Sequence, residues 1–171
     1  MKIFNSIVYI FTAFSLLICE DCNLIKGMKA PGFTLLDQDS ISHSLHDYFG
    51  QKVVIYFYPK DNTPGCTKEA CSIRDKYASF KNYKIVTFGI SYDMPESHKK
   101  FIEKYHLPFS LLSDGDKSVS KLYCSDGWFF PDRKTVLIDD KGLIHKIIED
   151  VNVRDHGMQI LDAFGITPNS N

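Results

Sequence analysis

The stretch VVIYFYPKDNTPGCTKEAC, residues 53–71, carries the fold and the chemistry of this chain together. Its first six residues are all β-branched or aromatic, and an unbroken apolar run of that kind is expected of a central strand covered on both faces. Pro59 ends the run. Thr63 and Pro64 then supply an N-cap and a proline at the first helical position, so a helix is expected from Pro64 to about Lys81. Cys66 falls in its first turn. There, unpaired backbone N–H groups and the positive end of the helix dipole favour an anion, and the thiolate is the reactive form of cysteine. A cysteine packed as a small apolar side chain is the competing reading. Against it, Cys66 follows the carboxyl end of a central strand, the edge where α/β sheets gather their sites.

Cys71 is harder to accommodate. On an ideal helix, residues five apart are turned by roughly 140° and separated by about 7.5 Å along the axis. Their Cα atoms are then roughly 8–9 Å apart, beyond the ~7 Å reach of a disulfide. A bond between Cys66 and Cys71 requires the first helical turns to unwind, so a static bond is not expected there. A bond that forms and is later reduced remains compatible with the spacing. Zinc is the other use of paired cysteines, but it needs four ligands, and a C-x4-C pair with no nearby histidine supplies too few.

Outward from this stretch the pattern alternates. Residues 30–36 form a short extended piece closed by a turn at 37–40, and 85–91 read as a second central strand. Pro95 opens a helix with Phe101, Ile102 and Tyr105 on its apolar face. A short strand at 109–112 and a short helix at 116–123 follow. Strands at 135–138 and 144–148 flank Asp139-Asp140-Lys141-Gly142, a hairpin signal, and 154–164 form a closing helix. The order predicts an α/β, thioredoxin-like fold, a central mixed β-sheet flanked by helices. With 171 residues, 44% of them hydrophobic and 24% charged, the chain is expected to bury one core.

A net charge of −1, with three arginines and scattered lysines, gives no electrostatic case for nucleic acid. The six histidines are dispersed without metal-ligand spacing. The amino terminus differs from the rest, because residues 3–19 carry no charge. They read as a signal peptide or, at the lower limit of about 17–25 residues for a span, as a membrane anchor. The ending Leu16-Leu17-Ile18-Cys19 faintly resembles a bacterial lipoprotein signal, although Ile18 stands where a small residue is usual. Residues 1–22 are therefore set apart as a signal peptide or membrane or lipid anchor, and 23–171 as the folded domain. The expected location is exported, periplasmic or membrane-anchored, with the cytoplasm as the alternative. Cys19-x-x-Cys22 lacks a preceding strand and is not expected to be a thioredoxin-type redox motif.

Several motifs converge on one family: Ala30-Pro31-x-Phe33, Tyr56-Phe57-Tyr58-Pro59-Lys60, Thr63-Pro64-Gly65-Cys66-Thr67, Cys71-x-x-Arg74-Asp75, Gly89-Ile90-Ser91-x-Asp93, Leu111-Leu112-Ser113-Asp114 and Leu137-Ile138-Asp139-x-x-Gly142. Across residues 27–165 the chain resembles a peroxiredoxin of the bacterioferritin-comigratory, or PrxQ, branch. The resemblance implies a thiol peroxidase acting on hydrogen peroxide and organic hydroperoxides in antioxidant defence. Cys66 would be the peroxidatic cysteine and Cys71 the resolving one. Thr63 would hydrogen-bond the thiolate and peroxide, Pro59 would shield the pocket, and Arg133 would stabilise the thiolate and the departing oxygen. It implies a thioredoxin-like reductant, a monomer, and no metal or organic cofactor. Two departures from the branch stand out, the apolar amino terminus and a shortened segment from Tyr123-Cys124-Ser125 to Arg133. Cys124 is read as incidental.

Other readings of the same residues remain open at this point. Thr63 can be only a cap, Pro59 only a strand terminator, and Arg133 only a surface ion-pair partner. An exported thiol–disulfide oxidoreductase on the same fold is the alternative function, although it expects C-x-x-C after the first central strand. A copper-binding assembly protein of that fold expects C-x3-C and a distant histidine.

Overall fold

Alternation along β3 (Lys52–Phe57) divides the interior into two layers, one on each face of the sheet. Val54 and Tyr56, with Tyr58 just beyond the strand, pack among Cys66, Ala70, Ile73, Phe101, Ile160 and Leu161. Val53, Ile55 and Phe57 point the other way, among Phe33, Leu45, Val119 and Tyr123. All six of these β3 and post-strand side chains are almost completely excluded from solvent, as the unbroken apolar run requires.

The computed structural model describes residues 22–167. Around β3 lie β1 (Thr34–Asp37), β2 (Ser42–Ser44), α1 (Pro64–Asp75), α2 (Tyr77–Asn82), β4 (Ile85–Ser91), α3 (Pro95–Tyr105), β5 (Ser110–Ser113), α4 (Ser118–Leu122), β6 (Lys134–Ile138), β7 (Ile144–Ile148) and α5 (His156–Ala163). They build one mixed sheet in the order β2-β1-β5-β4-β3-β6-β7. The strands β3, β4 and β5 run parallel, whereas β6 is antiparallel to β3. The carboxyl ends of the parallel strands and the start of β6 therefore meet at one edge.

The strands expected at 85–91, 109–112, 135–138 and 144–148 are present to within a residue or two. The helix expected to reach Lys81 is two helices. Lys76 leaves helical geometry (φ −105°, ψ 4°) and separates α1 from α2 without any proline or glycine to announce the break. The polar strand β2 and a 3-10 turn at Leu45–Tyr48 were not expected, since Ser-His-Ser has no strand pattern. The signal or anchor segment lies outside the described residues, except for its last residue, Cys22. No helix among the described residues is long and apolar enough to cross a membrane.

The closing helix α5 sits directly on α1. The Gly157 N–H donates to Ser72 Oγ at 2.9 Å, and a Cβ on Gly157 would lie 2.5 Å from the Ser72 carbonyl, so only glycine permits this approach. Beside it, His156 is fully buried. Its Nε2 is 2.9 Å from the Thr135 hydroxyl and its Nδ1 is 3.0 Å from Gln159 Oε1. Gln159 Oε1 can only accept, so Nδ1 carries the proton, and the Thr135 hydroxyl donates to Nε2. Burial pushes the imidazole down to about 4, outweighing the Gln159 hydrogen bond, and the Arg133 cation pushes the same way.

Because the folded chain holds this imidazole neutral, the unfolded chain binds the extra proton first as pH falls. The stability contributed by the neutral ring is complete above the ordinary histidine value of 6.5 and is lost as pH drops towards about 4. Urea midpoints are expected to fall through that window, by an amount equivalent to ~3 kcal/mol at most from this residue. His156→Gln should lower stability at neutral pH but flatten the slope between those pH values. An unchanged slope would show that another group governs it.

Candidate active site

The register of β6 against β3 builds the site. Lys134 pairs with Phe57 at the end of β3, which leaves Arg133 beside the loop that leads into α1. Its Nη2 donates to Cys66 Sγ at 3.2 Å, and its Nη1 donates to the Glu69 carboxylate. Cys66 and Glu69 are three residues apart on α1 and so share one helix face. Both are buried, Glu69 completely. A carboxylate so far from water needs a charged partner, and Arg133 supplies it. The nearest nitrogen of His156 is 3.8 Å from the other Glu69 oxygen, but that ring is neutral and its Nε2 accepts from Thr135. The Arg133 fork therefore bridges a thiol and a buried carboxylate, with one nitrogen for each.

A second buried network fixes the loop that carries Pro59 and Thr63. The Tyr58 hydroxyl donates to Asp61 Oδ1 at 2.7 Å, and the Ser97 hydroxyl donates to Oδ2 at 2.7 Å. His98 Nδ1 lies 2.9 Å from Oδ2, and the Asp61 N–H donates to Asp93 at 2.9 Å. Burial pushes the Asp61 carboxyl up, but the hydrogen bonds from His98, Tyr58 and Ser97 and the charge attraction of His98 together hold it below its usual range. Asn62 then takes a left-handed turn (φ 59°), and Thr63 enters α1 in extended geometry.

Thr63 occupies the N-cap position, yet its hydroxyl donates to the Lys60 carbonyl at 3.1 Å and makes no cap bond to the helix. The helix start is closed instead by the Thr67 N–H on the Thr63 carbonyl at 2.9 Å. Pro59 is half-buried two residues beyond the end of β3. Cys66 and Cys71 are both free thiols on the continuous helix α1, the first buried and the second half-buried. Cys71 lines an open depression with Lys68, Ser72, Asp75 and Arg154. Arg74 turns away to the Tyr105 carbonyl and to Asp75. Among the described residues no group of three or more histidine, cysteine or acidic side chains could hold a metal ion.

Two features of this region were not read from the sequence. Glu69 in Thr-Lys-Glu-Ala resembles an exposed helical glutamate, and only its three-residue spacing from Cys66 hinted otherwise. Cys124 is not incidental, because it is bonded to Cys22 across 102 residues with Cα atoms 5.5 Å apart. No local pattern could have paired them.

Comparison with known proteins identifies the family. The AhpC/TSA family model matches residues 26–147. The chloroplastic peroxiredoxin Q of Populus jackii is 47% identical over 125 residues, which cover 71% of this chain and 59% of the relative. The chain thus spans about three fifths of the length of such chloroplastic relatives. A putative peroxiredoxin bcp of Coxiella burnetii is 41% identical over 143 residues, covering 79% of this chain and 95% of that one. Among solved structures, a cysteine-to-serine mutant of Xylella fastidiosa PrxQ superposes with a TM-score of 0.79 at 27% identity, covering 84% of this chain and 96% of its own. The peroxidoxin BcpB of Mycobacterium tuberculosis does so with a TM-score of 0.78 at 29% identity, covering 84% and 97%. The sheet order, the helix bearing Cys66 and these matches agree: the chain has the thioredoxin-like fold and belongs to the AhpC/TSA family, in its peroxiredoxin Q or bacterioferritin-comigratory branch.

Proposed function

We propose that this chain is a thiol peroxidase that reduces hydrogen peroxide and organic hydroperoxides, with Cys66 as its nucleophile. The observation that carries the reading is the Arg133 guanidinium, which touches Cys66 Sγ at 3.2 Å while Glu69 holds its other nitrogen. A cation fixed there stabilises a thiolate and, in the transition state, the charge moving onto the departing oxygen. As the thiolate attacks, an S–O bond forms and the peroxide O–O bond breaks. The leaving hydroxide or alkoxide takes a proton, and Cys66 becomes a sulfenic acid. The Thr63 hydroxyl swings from the Lys60 carbonyl to the bound peroxide, and Pro59 keeps bulk water off the reacting sulfur.

Cys71 then attacks the sulfenic sulfur. An S–S bond forms, the hydroxyl leaves as water, and the first turns of α1 open to let the sulfurs meet. A thioredoxin-like dithiol returns the pair to thiols by exchange, supplying two electrons. The cycle uses no metal or organic cofactor and is compatible with a monomer. Residues 23–171 form the catalytic domain, and the uncharged run at 3–19 supports export or membrane anchoring of the chain.

Hydrogen peroxide added to the reduced protein should be consumed, and Cys66→Ser should abolish this. Retained consumption in that variant overturns the assignment. In Cys71→Ser, one equivalent of peroxide should still be reduced while thioredoxin-supported turnover fails, and full turnover would remove Cys71 from the cycle.

The role of Glu69 has its own test. Glu69→Gln loses the charge that fixes the Arg133 fork, and the rate of Cys66 oxidation is expected to fall about tenfold in single-turnover mixing with peroxide. The fall should be smaller than that of Arg133→Met. Equal rates for wild type and Glu69→Gln would show that Arg133 holds its position unaided.

A further inference from the structure

We propose that the loop at residues 125–132 is a docking surface for a lipid bilayer, which seats the domain with its Cys66 edge against the membrane. The proposal rests on the peroxidase reading only for its kinetic consequence. Trp128 is 84% exposed, Phe129 75% and Phe130 47%, and Leu122 nearby is 48% exposed. Four of the ten exposed large apolar side chains among the described residues thus fall between 122 and 130, and the Trp128 and Phe129 ring centres are 6.3 Å apart, so exposed apolar surface concentrates on this segment.

Their exposure is built in. The Asp132 N–H donates to the Ser125 carbonyl at 2.8 Å and closes the loop at its base. Lys117 Nζ donates to the Trp128 carbonyl at 2.6 Å. A Cβ on Gly127 would overlap the Phe130 carbonyl oxygen, so glycine is required for the chain to fold back this closely. Lysines surround the aromatics. Lys60 Nζ stands 5.9 Å from the Phe130 ring centre, and Lys121 lines one depression with Lys117, Asp126 and Trp128. Aromatic rings flanked by long basic side chains suit the bilayer interface, where rings sit at headgroup depth and lysines snorkel to water. Asp126 and Asp132, both exposed on the loop, oppose this basic charge, so insertion of the rings is the attraction and anionic lipid is not required.

The course of the chain favours a bilayer over a protein partner. The uncharged run at 3–19 ends three residues before Cys22, and Cys22 is bonded to Cys124. Trp128 follows Cys124 by four residues, at most ~14 Å of extended chain. A membrane-embedded amino terminus would thereby be stapled to the corner that displays the rings. Arg133 follows Phe130 by three residues, so the same edge carries the site.

Trp128 is the single tryptophan, and residues 1–21 contain none, so its emission reports this loop alone. The full chain is reconstituted in phosphatidylcholine vesicles with and without bromine on the acyl chains near the headgroup. Blue-shifted Trp128 emission quenched by the brominated lipid is expected. Phe129→Ser should weaken the quenching and lower kcat/KM about tenfold for phospholipid hydroperoxide in the vesicles, leaving turnover of aqueous hydrogen peroxide unchanged. The proposal is overturned if the chain does not float with the vesicles, or floats with its emission unquenched. It is equally overturned if the blue shift depends on protein concentration without lipid, the mark of a second copy, or appears only with thioredoxin. Consumption of hydrogen peroxide without quenching sinks the docking surface and leaves the peroxidase intact. Quenching without peroxide consumption does the reverse.

Discussion

A buried carboxylate organises this protein. Glu69 is removed from water on a helix face that also bears the Cys66 thiol, and its cation is Arg133, from the start of a different element. Breaking a buried ion pair leaves an uncompensated charge, a loss of about 3–5 kcal/mol. The register of β6 on β3, the angle of α1 over the sheet and the seating of α5 all have to be compatible with that one contact. His156 tightens the constraint. Held neutral by burial, with Nε2 occupied by Thr135, it offers Glu69 no second charge. The guanidinium is left with one oxygen anion and one sulfur, and a group fixed this way needs little reorganisation when charge develops beside it.

The same helix has to be firm at one moment and open at another. Its far half is pinned by the Gly157 N–H on Ser72 and by Arg74 on the Tyr105 carbonyl. Its first turn lacks one such tie, since the Thr63 side chain makes no cap bond to it. Each backbone hydrogen bond released there costs about 0.5–1.5 kcal/mol net. Opening two or three of them is within reach of the bond that Cys71 would form, whereas moving the pinned half would also disturb the interface with α5. The turn that would open contains Cys66, so in the proposed cycle resolution also has to release the thiol from Arg133.

Much of this was legible in the sequence because it was local. The run at 53–58 announced a strand buried on both faces, and Thr63-Pro64 announced the helix start to the residue. Arg133 could be reached only through the family resemblance, since no periodicity brings residue 133 to residue 66. The break at Lys76 was invisible because tertiary packing ends α1 where propensity would continue it. Glu69 was missed for a related reason: a helical glutamate beside a lysine reads as solvated until the fold shows which face is covered. The Cys22–Cys124 pairing, 102 residues apart, was beyond any reading of spacing.

That pairing bears on the redox logic of the proposed cycle. The folded chain carries one disulfide, Cys22–Cys124, whereas the proposed cycle would form and open a second, Cys66–Cys71, on each turnover. Cys22–Cys124 closes a loop of 102 residues between the amino-terminal end of the described chain and the end of α4. A Cys66–Cys71 bond would form only by unwinding α1, and the refolding of that helix favours its reduction. Strained disulfides have the higher, more oxidising potentials. In the proposed cycle the regain of helix α1 is therefore the structural drive for reducing the Cys66–Cys71 bond.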